Sequence, residues 1–178
     1  DPMCGSGTFL SEAYMMANKI APNLKRRGWG FQSWLGYDSQ IWNDVLEEAK
    51  DSSTMNSKVK FIGSDISKSA IRTTRKNLQA VGISNIQLST KAFDQTRFKE
   101  DHGFLICNPP YGERLDTDDL SRFYRQLGDH FKQQAKGWNC FVFAPRQNLK
   151  QIGLRPDFER ECHNANLLCR IARYDIRP

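Results

Sequence analysis

The chain has 178 residues, 39% of them hydrophobic, which is enough for one domain with a sizeable core. Lys and Arg outnumber Asp and Glu by 26 to 20, and this excess points towards a polyanionic partner such as RNA. No apolar run reaches membrane-spanning length, so we expect no membrane partner. The five cysteines are widely spaced and form no CxxC pair, which indicates neither a disulfide framework nor a zinc site and favours a reducing, cytoplasmic setting.

A Gly-rich segment opens the chain and runs into a helix. Asp1-Pro2-Met3-Cys4-Gly5-Ser6-Gly7-Thr8 is followed by apolar residues at helical spacing from Phe9 to Ile20. Such a loop lets a ligand approach the backbone, and the N–H groups that begin the helix face an anionic group. An ordinary turn is the alternative interpretation. In a doubly wound sheet this loop follows the first, central strand, which we expect to be missing from this chain.

Residues 22–58 read as an aromatic and basic insertion. Lys25-Arg26-Arg27 precedes a group of aromatic residues, namely Trp29, Phe31, Trp34, Tyr37 and Trp42. Rings between positive charges suit single-stranded nucleic acid, but packing within a small subdomain is the simpler interpretation. A short helix is predicted from Ile41 to Lys50 and a flexible loop from Asp51 to Ser57.

The second strand is predicted at residues 59–65 and ends in Asp65. In a nucleotide-binding sheet an acid at this place receives the ribose hydroxyls. The alternative is a helix N-cap, for which Ser67 is the better candidate. An amphipathic helix should follow over residues 67–81, with an inward stripe of Ile71, Leu78 and Val81 and a basic outer face of Lys68, Arg72, Arg75 and Lys76.

A third strand, residues 85–89, leads to the corner at residues 91–94. This corner would lie near an adenine, with Phe93 packing against it and Asp94 accepting from its amino group. Further along the chain, a helical core stripe, a fifth strand and a closing antiparallel hairpin are predicted. These elements comprise Leu120, Phe123, Tyr124, Leu127 and Phe131 for the stripe, residues 138–144 for the strand, and residues 156–162 and 167–176 for the hairpin. The three histidines share no metal-ligand spacing, so we assign no metal site.

The organising segment is the strand Phe104–Cys107, which reads as buried on both faces, followed by Asn108-Pro109-Pro110-Tyr111. The two prolines remove backbone donors and fix φ, so the chain leaves the sheet on one rigid course. The Asn108 amide oxygen and the Pro109 carbonyl then form two converging acceptors, which suit a planar amino group. Tyr111 offers a ring on which a planar base can stack. The alternative is a Pro-Pro turn with a surface tyrosine.

Together these motifs resemble the class I S-adenosylmethionine-dependent methyltransferases, and more closely the bacterial 23S rRNA guanine-N2 methyltransferases. The resemblance rests on segments along nearly the whole chain: the opening octet, the Trp-rich insertion, Gly63-Ser64-Asp65-Ile66, Asn108-Pro109-Pro110-Tyr111 with the following Gly-Glu-Arg-Leu, and Leu-Leu-Cys-Arg-Ile-Ala-Arg-Tyr-Asp-Ile near the end. It implies an α/β, Rossmann-like, seven-stranded sheet, mostly parallel, with a C-terminal antiparallel hairpin. It also implies an upstream RNA-binding (THUMP) domain in the full-length protein and one methyltransferase domain over residues 1–178.

The resemblance further implies roles for individual residues. Asn108, Pro109, Pro110 and Tyr111 would hold the target guanine of 23S rRNA. The cofactor S-adenosyl-L-methionine would be bound by Asp1, Cys4, Gly5, Ser6, Gly7, Thr8, Asp65, Ile66, Phe93, Asp94 and Asn108. Lys91 stands where many members of the class have an acid. Four alternatives remain open: tRNA guanine-N2 methylation, N6-adenine DNA methylation, glutamine side-chain methylation, and a non-catalytic nucleic-acid-binding remnant.

Overall fold

The computed structural model describes residues 1–54, 58–111 and 117–177. The loop predicted at 51–57 therefore lies partly outside the described residues. The last four residues of Asn-Pro-Pro-Tyr-Gly-Glu-Arg-Leu, 112–115, lie wholly outside them. Eleven helices and strands follow one another along this part of the chain: α1 (Thr8–Ala17), α2 (Ser39–Asp51), β1 (Phe61–Asp65), α3 (Lys68–Ala80), β2 (Ile86–Thr90), β3 (Gly103–Cys107), α4 (Thr117–Gln134), β4 (Trp138–Ala144), α5 (Arg146–Leu149), β5 (Phe158–Asn164) and β6 (Leu167–Ile176).

The strands form two sheets in the part of the chain that the structure describes. β1 and β2 pair in parallel, and a second sheet has the order β3-β4-β6-β5. In that sheet β3 and β4 are parallel, whereas β6 is antiparallel to both β4 and β5. The expected mixed α/β fold with a closing antiparallel hairpin is confirmed. Six strands lie in the described residues, two in one sheet and four in the other, and β1 and β3 do not pair with each other.

Residues 1–4 lie along the edge of β1 that β2 leaves open. The Ser64 N–H donates to the Asp1 carbonyl at 2.8 Å, and the Cys4 N–H donates to the Ser64 carbonyl at 2.9 Å. Cys4 belongs to the small core under β1, whereas Met3 packs against the main core under β3 and β4. The two neighbouring side chains therefore place the start of the Gly-rich loop between the two sheets.

The main core lies between α4 and the four-stranded sheet. Tyr124, Leu127 and Phe131 are fully buried there, while Leu120 and Phe123 pack at its margin, which confirms the predicted stripe. Gly128 lets the helix approach the turn Lys150–Ile152, since a Cβ on this glycine would lie 1.9 Å from the Ile152 carbonyl oxygen. A residue larger than glycine would force α4 away from that turn.

Two burial predictions are wrong. Phe104 is 72% exposed, because β3 turns alternate side chains to opposite faces and α4 covers only the face that carries Leu105 and Cys107. The Phe104 ring contacts Phe141 of β4 instead, at 6.3 Å between centroids. Val81 is 44% exposed, because it is the C-cap residue of α3, where the chain turns away from the inward stripe.

The insertion packs as a small aromatic subdomain, as predicted. The Phe31 ring lies edge-on to Trp42 at 4.9 Å, and Trp29 contacts both rings at 5.8 Å. The Asp38 side chain caps α2 by accepting from the backbone N–H groups of residues 40 and 41. None of the helices in the described part of the chain has the length and apolarity to cross a membrane.

Candidate active site

The Gly-rich loop turns sharply before α1. Gly5 and Gly7 have φ angles of +52° and +84°, which side chains with a Cβ rarely adopt. The Gly7 N–H donates to the Cys4 carbonyl at 2.7 Å, and this bond closes the turn. Gly7 is the N-cap of α1 and has no side chain to cap the helix, so the N–H groups of the first helical turn are left to a ligand. A Cβ on Gly5 would meet no atom within 4 Å, which leaves this side of the loop open.

Asp65 lies at the end of β1, as predicted, and it binds the loop directly. Its Oδ2 accepts from the Gly5 N–H at 3.0 Å, and its Oδ1 accepts from the Ser67 N–H at 2.9 Å. Ser67 is the N-cap of α3, accepting from the Ala70 N–H, so the N-cap alternative for Asp65 is set aside. An ionised carboxylate offers about four acceptor positions. These two bonds use two of the positions, and Ile66, which follows, is exposed.

Two side chains of α3 hold the loop from below, and the sequence did not identify them. The Thr74 hydroxyl donates to the Gly5 carbonyl at 2.7 Å, and the Asn77 amide donates to the Ser6 carbonyl at 2.9 Å. A Cβ on Gly7 would lie 2.6 Å from the Thr74 methyl group, so this glycine is also required for close packing. These bonds turn the carbonyls of the loop towards α3. The signal available in the sequence was a threonine within the apolar stripe of α3.

The Asn-Pro-Pro-Tyr segment leaves the main core at the end of β3. Asn108 is exposed and Pro109 is fully buried, so the amide side chain projects from a fixed backbone. The Tyr124 hydroxyl donates to the Pro110 carbonyl at 3.2 Å. Burial raises the pKa of Tyr124, which keeps this phenol protonated as a donor. The Pro110 carbonyl is therefore already hydrogen-bonded. It is not one of the two acceptors predicted for an amine, which are the Asn108 amide oxygen and the Pro109 carbonyl.

Tyr111 is half-buried against the main core, and its hydroxyl accepts a hydrogen bond from the Asn164 side-chain amide at the end of β5. This contact joins residues 53 positions apart in the sequence. It fixes the far end of the ring, while the Tyr124–Pro110 bond fixes the backbone just before it. Asn164 is a third residue, after Thr74 and Asn77, that the sequence did not identify.

The corner at residues 91–94, which was predicted to lie near the adenine, has fewer contacts that connect it to the Gly-rich loop. The Phe93 ring packs edge-on against Phe123 at 5.1 Å, at the margin of the main core. Asp94 is exposed and lines a cleft of about 260 Å³ with Arg97, Asp129, His130 and three glutamines, Gln126, Gln133 and Gln134. Among the described residues, that lining includes none from the Gly-rich loop. The adenine contacts of Phe93 and Asp94 therefore stay predictions.

The thiols near the site are neutral side chains. Burial raises the pKa of Cys107, which directly precedes Asn108, and burial likewise raises the pKa of Cys4. A protonated, buried thiol is not a nucleophile. Within residues 1–54, 58–111 and 117–177, no three His, Cys, Asp or Glu side chains are grouped so that they could hold a metal ion.

Comparison with known proteins gives a consistent family. Residues 1–171 match the family model described as RMKL-like, methyltransferase domain. The chain is 38% identical over 182 residues to the ribosomal RNA large subunit methyltransferase K/L of Shewanella woodyi, covering 99% of this chain and 26% of that protein. The chain thus spans about a quarter of the length of this relative.

Solved structures with the same fold include two that bear on the site. SMU.472, described as a methyltransferase and crystallised with SAH, superposes with a TM-score of 0.90 at 29% identity over 100% of this chain and 48% of that one. A protein from Listeria monocytogenes described as a predicted N6-adenine-specific DNA methylase superposes with a TM-score of 0.84 at 26% identity, covering 98% of this chain and 45% of that one.

Proposed function

Because the chain belongs to the RMKL-like methyltransferase domain family, we propose that it transfers the methyl group of S-adenosylmethionine to the exocyclic N2 amine of a guanine in 23S rRNA. The observation that carries this proposal is the exposed Asn108 amide, which follows β3 and precedes a buried proline, in a chain whose Gly-rich loop is bound to Asp65. Residues 1–178 would form the methyltransferase domain, with the insertion at 22–58 and an RNA-binding domain upstream. The protein would act in the cytoplasm, a setting that suits its five free cysteines.

The geometry of the loop fits S-adenosylmethionine. The open face of Gly5 and the start of α1 would receive the methionine end, from Asp1 through Thr8. The unused acceptor positions of Asp65 would bind the ribose hydroxyls, next to Ile66. We assign Phe93 and Asp94 to the adenine and Asn108 to the reacting end. When bound, S-adenosylmethionine supplies an electrophilic methyl group.

The residues of this chain would act on the guanine by position and electrostatics. The base must leave its stack, at a cost of a few kcal/mol that contacts in the pocket offset. Tyr111 stacks on the base. The Asn108 amide oxygen and the Pro109 carbonyl accept the two N–H bonds of the N2 amine, which localises its lone pair and orients it. The buried Cys107 thiol forms no covalent bond to the base, and the amine loses its surplus proton after methyl transfer.

The N6-adenine alternative is supported by one observation. The Listeria monocytogenes protein described as a DNA methylase shares this fold at 26% identity. An amide oxygen paired with a proline carbonyl recognises a planar amino group, and the adenine N6 amine has the same form. Ribosomal RNA is preferred over DNA as the substrate, because the relative that is 38% identical is described as a ribosomal RNA methyltransferase. The choice of the guanine N2 amine rests on the resemblance of the sequence motifs.

The test uses the full-length protein with S-adenosylmethionine labelled in its methyl group. Unmodified 23S rRNA, tRNA transcripts and duplex DNA are incubated in parallel, and their nucleosides are separated by mass spectrometry. We expect labelled N2-methylguanosine from 23S rRNA. Label in tRNA, or N6-methyladenine in DNA, would favour the corresponding alternative. Absence of both label and cofactor binding would indicate the non-catalytic alternative.

Asn108→Ala is the matched test of the amine clamp. The change should lower kcat roughly 100-fold, as the loss of one oriented group at a reacting centre does, while cofactor affinity stays within about twofold. Asn43→Ala on the exposed side of α2 is the control and should keep the parent rate. A parent-like rate for Asn108→Ala would remove the clamp from the mechanism.

A further inference from the structure

The turn of the β5–β6 hairpin lies beside the Asn-Pro-Pro-Tyr segment. Asn164 pairs with Leu167 across the hairpin, so the turn consists of Ala165 and Asn166. Ala165 has a φ of 51°, in the left-handed region. The amide of Asn164 reaches back and donates to the Tyr111 hydroxyl. The tip of the closing hairpin is thereby joined to the ring assigned to the target base.

The hairpin is anchored to the sheet from which Tyr111 emerges. β6 pairs with β4 along seven residues, and β4 pairs with β3, the strand that leads into Asn108. The Arg170 guanidinium also bridges Glu159 and Glu161 on β5, at 2.6 and 2.8 Å. Because Asn164 and Tyr111 are carried by one hydrogen-bonded sheet, the amide is held at a defined place relative to the ring.

The chemistry of the tip suits a base more than a phosphate. Residues 163–168 contain two asparagines, a histidine, an alanine and two leucines, and no Lys or Arg. Directly paired residues of an antiparallel ladder point to the same face, so Leu167 lies on the face of Asn164 that looks towards Tyr111. Leu167 is 42% exposed, and an exposed leucine on the face from which Asn164 contacts Tyr111 offers an apolar surface for a flat ligand. Leu168, paired with His163, points to the opposite face.

We propose that Asn164 positions the Tyr111 ring and that Leu167 forms the second wall of the pocket for an extruded purine. This inference rests on the proposed function, in which Tyr111 stacks on the target base. Asn164 touches neither the base nor the cofactor, so it is a positioning residue. Its hydrogen bond reduces the freedom of the ring before the base arrives, and a preorganised ring costs less to order on binding.

The first experiment compares pairs of neighbouring substitutions in methyl transfer to unmodified 23S rRNA. Asn164→Ala should raise KM for the RNA about fivefold, the effect expected from one neutral hydrogen bond, with kcat and cofactor affinity unchanged. Asn166→Ala, in the same turn, should leave KM unchanged. Leu167→Ala should raise KM by about as much as Asn164→Ala or more, whereas Leu168→Ala should not. Equal effects within either pair would overturn the proposal.

A double-substitution cycle tests whether Asn164 acts through Tyr111. Tyr111→Phe keeps the ring and removes the acceptor, so it should raise KM about as much as Asn164→Ala does. The double variant should then show no further rise, because both changes remove the same bond. A rise of about 25-fold, the product of two independent effects, would mean that Asn164 does not act through the Tyr111 hydroxyl.

The hydrogen bond itself is tested by NMR, apart from any activity. In protein labelled with ¹⁵N, Tyr111→Phe should shift the side-chain amide signals of Asn164 and leave those of Asn166 in place. Unshifted Asn164 signals would overturn the inference even in an active enzyme. Failure of the parent protein to methylate 23S rRNA, with the Asn164 shift present, would instead refute the proposed function and with it the role of this bond in base capture.

Discussion

Thr74→Val should weaken cofactor binding without changing the shape of α3. Valine matches threonine in volume and keeps the methyl group that packs under Gly7, but it cannot donate to the Gly5 carbonyl. Thr74 is fully buried and its bond to Gly5 is 2.7 Å long, so water cannot easily replace the lost donor. An acceptor left without its partner costs about 1–3 kcal/mol.

The lower end of that range applies, because Gly5 itself is only half-buried and its carbonyl can recover part of its hydration. If the loop conformation that binds the cofactor is destabilised by about 1 kcal/mol, S-adenosylmethionine should bind roughly fivefold more weakly. Isothermal titration calorimetry on the full-length protein measures this directly. Circular dichroism should show unchanged helix content.

Two controls make the result specific. Thr73→Val, on the exposed side of the same helix, should bind the cofactor as tightly as the parent. Valine and threonine are both β-branched and have similar helix propensities, so helix propensity does not distinguish the two variants. Thr74→Ser keeps the hydroxyl and should retain most of the affinity. If Thr74→Val bound as tightly as Thr73→Val, the loop would not depend on α3 and the reasoning would be refuted.

Three further changes have defined outcomes. Asp65→Ala should weaken cofactor binding by about 1.5–3 kcal/mol in the same titration, since it removes a charged acceptor that also holds Gly5; unchanged affinity would place Asp65 outside the site. Tyr124→Phe should lower kcat/KM for RNA about fivefold by freeing the Pro110 carbonyl, and full activity would show that this bond is dispensable. Burial, and then the charge of Arg97, lower the pKa of His130 from 6.5, although Asp94 and the backbone of Thr96 oppose the shift. Because the pKa of His130 is lower in the folded protein than in the unfolded one, the neutral imidazole contributes stability above about pH 6.5. That contribution is lost as the pH falls through the pKa of the folded protein. The melting temperature should therefore be lower at pH 5 than at pH 7.5. The difference between the two pH values should be smaller in His130→Gln than in the parent, whereas His102→Gln, at an exposed position, should show the parent's difference. The same difference in both variants would contradict this prediction.

Helices and strands with a clear pattern of hydrophobic residues could be predicted from the sequence. β4 was expected at residues 138–144 and has those bounds, because seven mostly apolar residues lie between Gly137 and Pro145. The stripe of α4 and the closing hairpin followed from the same kind of pattern. Phe104 shows the limit of such reasoning, since a run of apolar residues does not say which face of a strand other elements cover.

The positions of Asp65 and Asn108 at the ends of strands were also predictable, whereas the contacts that support the Gly-rich loop and Tyr111 were not. Asp65 and Asn108 stand out because each follows an apolar strand. Thr74 and Asn164 act on residues 69 and 53 positions away, and contacts of that range leave no periodic trace in the sequence. Finding them required the packing of α3 beneath the loop and of the hairpin beside Tyr111.

The attachment of the Gly-rich loop to α3 has a consequence for dynamics. Thr74 and Asn77 lie nearly one turn apart on a single helix, and Asp65 joins the start of that helix to the same loop. A ligand that immobilises the loop should therefore also reduce the local opening of α3. In hydrogen–deuterium exchange, the amides of residues 68–80 should exchange more slowly with cofactor present, whereas those of the distant α2 should keep their rates.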